Sequence, residues 1–244
     1  IAPKLDQLAD YSTALGFEPL PAPNGAYSGY WVHETADSKI ICDLAAAGPG
    51  CQPGHAHADT LSFELSIGRQ RVLVNSGISE YGTGPERIWQ RSTAAHNTVV
   101  LDGKNSSDVW SGFRLGKAAR VSGLSVEQSA AGLKLGAAHD GYAPALHERQ
   151  WLLESQRLVI SDCLDAAGEK KSYFYLHPDI EVTQRDNGLL QLAWPAGSGT
   201  LSVTGGKLEL VESRWHPAFG CAVNTICCVV TWHDKESEVS VDWS

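Results

Sequence analysis

Leu61-Ser62-Phe63-Glu64-Leu65-Ser66-Ile67, then Gly68-Arg69-Gln70, then Arg71-Val72-Leu73-Val74-Asn75 form the stretch that decides the fold. Strict alternation places Leu61, Phe63, Leu65 and Ile67 on one face of an extended strand and Ser62, Glu64 and Ser66 on the other, the pattern of a sheet with one side on a core. The turn at Gly68 leads into a second apolar run, which reads as a hairpin. Outward from this hairpin, short β-type runs recur at 97–101, 133–137, 157–163, 171–176, 180–184, 189–194, 200–203, 208–211, 225–232 and 238–243, mostly separated by Gly, Asn, Asp or Pro. No amphipathic helices intervene, so the expected fold is all-β: a large antiparallel β-sandwich of two stacked sheets. No internal repeat marks a propeller or solenoid.

Upstream, Leu5, Leu8, Tyr11 and Leu15 recur at helical spacing and Gly16 stands at the stop, so a short N-terminal helix is expected over 4–15. Pro19, Pro21, Pro23 and Gly25 then read as a linker. Residues 1–27 are therefore expected to be a leader and 28–244 the sandwich domain. The hydrophobic share of 43% supports a sizeable core, and 19% charged residues are too few for disorder. A net charge of -9 without any Lys/Arg cluster argues against a nucleic-acid partner. No run approaches the roughly 20 apolar residues of a membrane span, and Ile1 to Asp10 lack the pattern of a signal peptide. The absence of methionine, and so of an initiator, suggests part of a longer or processed protein. Among six cysteines none has the C-x-x-C spacing of a structural zinc site. Buried free thiols are expected, with a Cys42–Cys51 pair the alternative in an oxidising compartment.

The chemistry concentrates in Gly54-His55-Ala56-His57-Ala58-Asp59, where three polar groups alternate with small residues and point the same way if the segment is extended. They lie where a loop enters the sheet, and on their own read equally as functional groups or as solvent-facing loop residues. A third imidazole, His96, stands at the mouth of the 97–101 run, and neutral imidazoles suit zinc and its neighbours. Asn75 ends the hairpin strand that returns from His57, and offers only a neutral carbonyl oxygen. Arg87 and Arg91, in a loop after the Gly-rich 81–84 segment, are candidates for gripping a substrate carboxylate with a two-pronged hydrogen bond, and Tyr81 for contacting a sugar. Asp59 and Asn97 are candidates for orienting the histidines. Trp110 and Phe113, with Trp89, read either as an aromatic wall for sugar rings or, as most of the eight tryptophans should be, as core, and none is assigned to the site; His139, His147, His177 and His216 read as strand-end structural residues.

The ordered set Gly54-His55-Ala56-His57-Ala58-Asp59-Thr60-Leu61-Ser62-Phe63, Val72-Leu73-Val74-Asn75-Ser76-Gly77 and Arg91-Ser92-Thr93-Ala94-Ala95-His96-Asn97-Thr98-Val99 resembles the heparinase II/III-like polysaccharide lyases. Trp110-Ser111-Gly112-Phe113-Arg114, His139-Asp140-Gly141-Tyr142 and Leu176-His177-Pro178 extend the resemblance over roughly 28–240. It implies a C-terminal β-sandwich whose enzyme is completed by an N-terminal α/α toroid absent from this chain, with the active site in the cleft between them. It further implies His55 as a catalytic residue and a zinc ion held by His57, the position of Asn75, and His96. This sequence has Asn75 where the family commonly has Asp. The implied reaction abstracts the C5 proton of a uronic acid and expels the oxygen at C4 of an acidic polysaccharide, glycosaminoglycan or alginate in kind. A periplasmic or secreted location follows from the same resemblance. A non-catalytic carbohydrate-binding sandwich and, more weakly, a metal-dependent hydrolase with an open zinc site are the other readings, the last without a Glu at convincing spacing.

Overall fold

The structure is a computed structural model, and it describes residues 5–17, 25–48, 53–130, 132–185 and 188–244. Strands are numbered in chain order. One sheet runs β1-β2-β3-β4-β5, formed by Gly25–Tyr27, Tyr30–Glu34, Ser38–Asp43, Phe63–Ile67 and Gln70–Leu73. A four-stranded sheet runs β17-β18-β13-β6, formed by Lys207–Trp215, Val223–Trp232, Lys170–Tyr175 and Val99–Leu101. The two join edge to edge through the Leu73–Leu176 bridge and the flanking bonds Val74 N–H to Tyr175 O and His177 N–H to Val72 O. Facing this composite layer is an eight-stranded sheet in the order β14-β15-β16-β19-β12-β11-β10-β9. Its strands are Glu181–Gln184, Leu189–Trp194, Gly197–Thr204, Glu236–Trp243, Arg157–Leu164, His147–Glu154, Gly132–His139 and Val121–Ser129. A small ribbon, β7 (Val109–Trp110) with β8 (Arg114–Leu115), completes the strands.

The expected all-β sandwich is what forms, and one residue of the opening stretch shows why. Phe63, 1% exposed, meets Trp151 of the eight-stranded sheet and Phe174 of the composite layer edge-on, each with ring centroids 6.3 Å apart. Burying a side chain of this size contributes about 1.5–3 kcal/mol, and here it ties both layers at one point. Cys42, Cys227 and Cys228 are buried free thiols, and Cys51 lies outside the described residues.

Helix α1 (Leu5–Ala14) forms as expected and ends at Gly16, whose φ of +80° sets up a Schellman stop with Phe17 N–H on Ser12 O and Gly16 N–H on Thr13 O. The linker residues Pro19, Pro21 and Pro23 lie outside the described residues. Among the described residues no helix is long and apolar enough to cross a membrane. The structure adds strands at 30–34, 38–43, 121–129 and 147–154, and makes 85–90 a short helix, α2 (Pro85–Gln90), where the sequence reads as loop.

Between the layers lies a polar network. Arg149, fully buried, grips Asp162 through Nε on Oδ1 (2.7 Å) and Nη2 on Oδ2 (2.8 Å), while its Nη1 donates to the carbonyls of Leu61 (2.9 Å) and Asn97 (2.6 Å). His147 Nε2 meets Asp162 Oδ1 at 2.8 Å and His139 Nε2 meets His147 Nδ1 at 3.0 Å. Burial works against the Asp162 charge, yet Arg149 and His147 overcome it and hold the carboxyl well below the usual range. Leu61 and Asn97 lie just past the loops that carry His57 with Asp59 and His96. Arg149 thus fastens the floor of the candidate site to the opposite sheet.

Candidate metal and catalytic site

Three segments bring the site together: the 53–60 loop entering β4, the 81–91 segment with α2, and the 92–98 turn entering β6. Burial alternates along the first, with His55 exposed, Ala56 and Ala58 buried, and His57 and Asp59 half-buried. The loop is fixed by Ala58 N–H on Arg91 O, and it turns at Leu61, whose φ of +63° is unusual for a branched side chain and is held by the Arg149 bond to its carbonyl. His96 is extended and buried, with Asn97 beneath it. Asn97 donates to Phe63 O and Val74 O and accepts from Tyr175 N–H, which staples three strands under the turn.

His57 lies beside His96, and His55 lies beside Tyr81. His57 Nδ1 lies 3.1 Å from His96 Nε2, and His57, Asp59 and His96 place one ligand atom each within 4.8 Å of one another. His96 Nε2 stands 4.0 Å from Asp59 Oδ2, while His96 Nδ1–H donates to Ser92 O at 2.8 Å. A tetrahedral zinc about 2.0–2.1 Å from nitrogen needs donors roughly 3.3 Å apart, and the separations of 3.1 and 4.0 Å bracket that value. A ligand histidine usually donates its other N–H to a carbonyl, as His96 does. The trio can hold a metal ion. Burial first, then His96, Arg87 and Arg91, push the His57 pKa down to about 2, so its imidazole is neutral at neutral pH, the form a metal needs.

Two sequence expectations change. Asn75 Oδ1 accepts the Asn97 N–H at 2.9 Å, and the carboxylate beside the histidine pair is that of Asp59, expected only to orient. Arg87 and Arg91 are 0% and 1% exposed, so neither guanidinium is presented to a substrate. Arg91 donates to the carbonyls of Ala56, Trp110, Pro53 and Arg114, and Arg87 to those of Gly54 and Gly112 and to His57 Nε2 at 3.2 Å. Buried polar groups need partners, and each guanidinium nitrogen here has one: loop carbonyls throughout, except for His57 Nε2 at Arg87 Nη1.

His55 belongs to a separate group. Its Nδ1 is 3.2 Å from the Tyr81 hydroxyl, the rings meeting edge to face at 5.3 Å. Tyr81, 47% exposed, is flanked by Phe113 and by Phe219, which is 63% exposed and arrives from the loop before β18. Close approach of Gly112 to Gly82 sets this arrangement: at Gly112, with φ of +64°, an added Cβ would stand 2.1 Å from Gly82 O. Nothing local in the sequence marks Phe219. Beside His55 opens a cleft of about 490 Å³ lined by Tyr30, Asp43, His57 and Asp59 among others. Burial, then Asp59, raises the Asp43 pKa to about 8.

A pKa raised in the folded state means that native Asp43 keeps its proton while the unfolded chain has lost it. Its contribution is therefore full below about pH 3.8 and falls as pH rises to about 8. In Asp43→Asn the amide oxygen would keep the bond that Asp43 Oδ1 accepts from Ala45 N–H. The stability of Asp43→Asn relative to the wild type is thus expected to rise with pH by on the order of 1 kcal/mol per unit through that window. Urea unfolding of both proteins from pH 5 to 9 measures it, and a difference independent of pH would remove the buried proton from the account.

The family model described as heparinase II/III-like, C-terminal, matches residues 18–244. The chain belongs to that family. Among solved structures, the heparan sulfate lyase HepC from Pedobacter heparinus is 15% identical with a TM-score of 0.77, covering 98% of this chain and 41% of its own. The heparinase III BT4657 gene product, in its form with methylated lysines, is 17% identical with a TM-score of 0.74 over 98% of this chain and 41% of its own. A structure described as heparinase III is 16% identical, with a TM-score of 0.75, covering 91% and 37%. At these identities the likeness shows the fold. This heparinase-like domain thus spans about two fifths of the length of the first two lyases. No curated protein matches it.

Proposed function

We propose that this chain is the β-sandwich part of a polysaccharide lyase that cleaves uronic-acid-containing polysaccharide by β-elimination, completed by an N-terminal helical domain and inactive or nearly so without it. The observation that carries the reading is the exposed His55–Tyr81 pair, 3.2 Å apart at the rim of a 490 Å³ cleft, in a family of such lyases.

The reaction must remove a poorly acidic C5 proton and protonate the departing C4 oxygen. Groups that neutralise the neighbouring carboxylate stabilise the enolate-like transition state. His55, which lines the cleft and is bonded to Tyr81 through Nδ1, is placed to take that proton or to meet the carboxylate. Tyr81, with Phe113 and Phe219, offers a rim against which a sugar ring can stack. Arg87 and Arg91 act from below, holding the carbonyls of the loop that presents His55. A divalent ion, zinc by the N₂O donor set, would be held by His57, Asp59 and His96, and would cross-link the two loops and add positive charge beside His55. Asp43, protonated at neutral pH, spares the cleft one negative charge that would repel a polyanion.

The exposed aromatic rim also suits the alternative, a sandwich that binds sugar without cutting it. The discriminating experiment supplies the full-length protein with heparan sulfate, other glycosaminoglycans and alginate, and follows ultraviolet absorbance of the unsaturated product. A rise with at least one polymer is expected. Retention on an immobilised polymer without any rise would favour the binding module.

A further inference from the structure

We infer that Arg87 and a metal ion compete for His57, so that metal loading breaks the Arg87–His57 bond. The inference rests on counting donors and acceptors, and is independent of the proposed reaction. Arg87 has only N–H donors and does not lose its proton in proteins. The contact between its Nη1 and His57 Nε2, 3.2 Å, therefore requires a lone pair on Nε2. In a neutral imidazole the proton is then on Nδ1, which faces His96 Nε2 at 3.1 Å. That nitrogen accepts, because His96 Nδ1–H donates to Ser92 O. Arg87, His57, His96 and the Ser92 carbonyl thus form one chain of hydrogen bonds running in a single direction, with every nitrogen satisfied.

A metal held between the facing nitrogens of His57 and His96 needs the Nδ1 lone pair instead. The imidazole has one lone pair and two claimants. Metal on Nδ1 moves the proton to Nε2 with no net gain or loss, and the Nε2–H then points at the Arg87 N–H groups, donor against donor, with a guanidinium charge beside a dication. Arg87 keeps its bonds to the Gly54 and Gly112 carbonyls in either state. Its Cζ also lies 5.2 Å from the centre of the Tyr81 ring, whose hydroxyl meets His55.

The test titrates zinc ion into the metal-free protein against a chromophoric chelator, for the wild type, Arg87→Gln, Arg114→Gln and His57→Ala. Arg114 is an exposed arginine that stacks on Trp110 and controls for loss of charge alone. Arg87→Gln is expected to bind zinc at least about tenfold more tightly than the wild type, the worth of a hydrogen bond to a charged group, Arg114→Gln to change little, and His57→Ala to lose the site. Equal or weaker binding by Arg87→Gln, an equal gain in Arg114→Gln, or no zinc bound by either wild type or Arg87→Gln overturns the inference. If Arg87→Gln does not fold, nitrogen-15 spectra of the wild-type histidines decide. His57 is expected as the Nδ1–H tautomer before zinc and the Nε2–H tautomer after it. An Nε2–H tautomer in the zinc-free protein, or no change on loading, contradicts the competition.

Discussion

Replacing Arg149 with methionine is expected to cost about 3–5 kcal/mol, the penalty for leaving a buried charge without its partner. Asp162, 3% exposed, would lose both guanidinium bonds, and the carbonyls of Leu61 and Asn97 would each lose a donor. Most natural domains are stable by only about 5–15 kcal/mol, so the variant is expected to unfold at a much lower urea concentration than the wild type. Adding Asp162→Asn should recover part of the loss, since removing both charges costs less than stranding one. A shift of Arg149→Met below about 1 kcal/mol would mean that the network is not what fastens the site floor to the opposite sheet.

The second large effect concerns chemistry rather than stability. In the full-length protein, His55→Ala is expected to lower kcat by about 10²–10⁴-fold, the usual contribution of a positioned acid or base. Because His55 is exposed and, among the described residues, its side chain is hydrogen-bonded only to Tyr81, the unfolding free energy should stay within about 0.5 kcal/mol of the wild type. A fall in activity matched by a fall in stability would assign His55 to the scaffold.

Much of this architecture was legible where hydropathy alternates. Phe63–Ile67, Lys170–Tyr175, Val223–Trp232 and Glu236–Trp243 carry inward apolar residues that announce a core face. His147–Glu154 is the instructive omission: its burial alternates residue by residue, yet its first two inward positions are His147 and Arg149. The period of two is present in space and hidden in hydropathy because the core there is a charge network. Val121–Ser129 fails differently. It is a sheet-edge strand with nearly every residue exposed, so nothing selects apolar side chains on either face.

The site followed the same division. The family resemblance implied His57 and His96 as a pair, and the fold places them 3.1 Å apart. Which carboxylate joins them depended on the turn at Leu61, which keeps Asp59 beside His96, and on Asn97, whose N–H engages the oxygen of Asn75. The arginines suggested anion binding because their charge is visible in the sequence, while the carbonyls that neutralise it come from loops far along the chain. Phe219 reaches Tyr81 from a distant loop that follows the His216 carbonyl, against which Gly77 lies so closely that an added Cβ would come within 2.3 Å.

The most direct test of the lyase assignment is the mass of the products that the full-length protein releases from a defined uronate oligosaccharide. Elimination divides the substrate without adding water, so the product masses are expected to sum to the substrate mass, with one fragment carrying the unsaturated uronate. Products whose masses sum to the substrate plus one water would identify a hydrolase, and an uncut oligosaccharide across the whole panel of uronate polymers would leave a sandwich that does not perform the elimination.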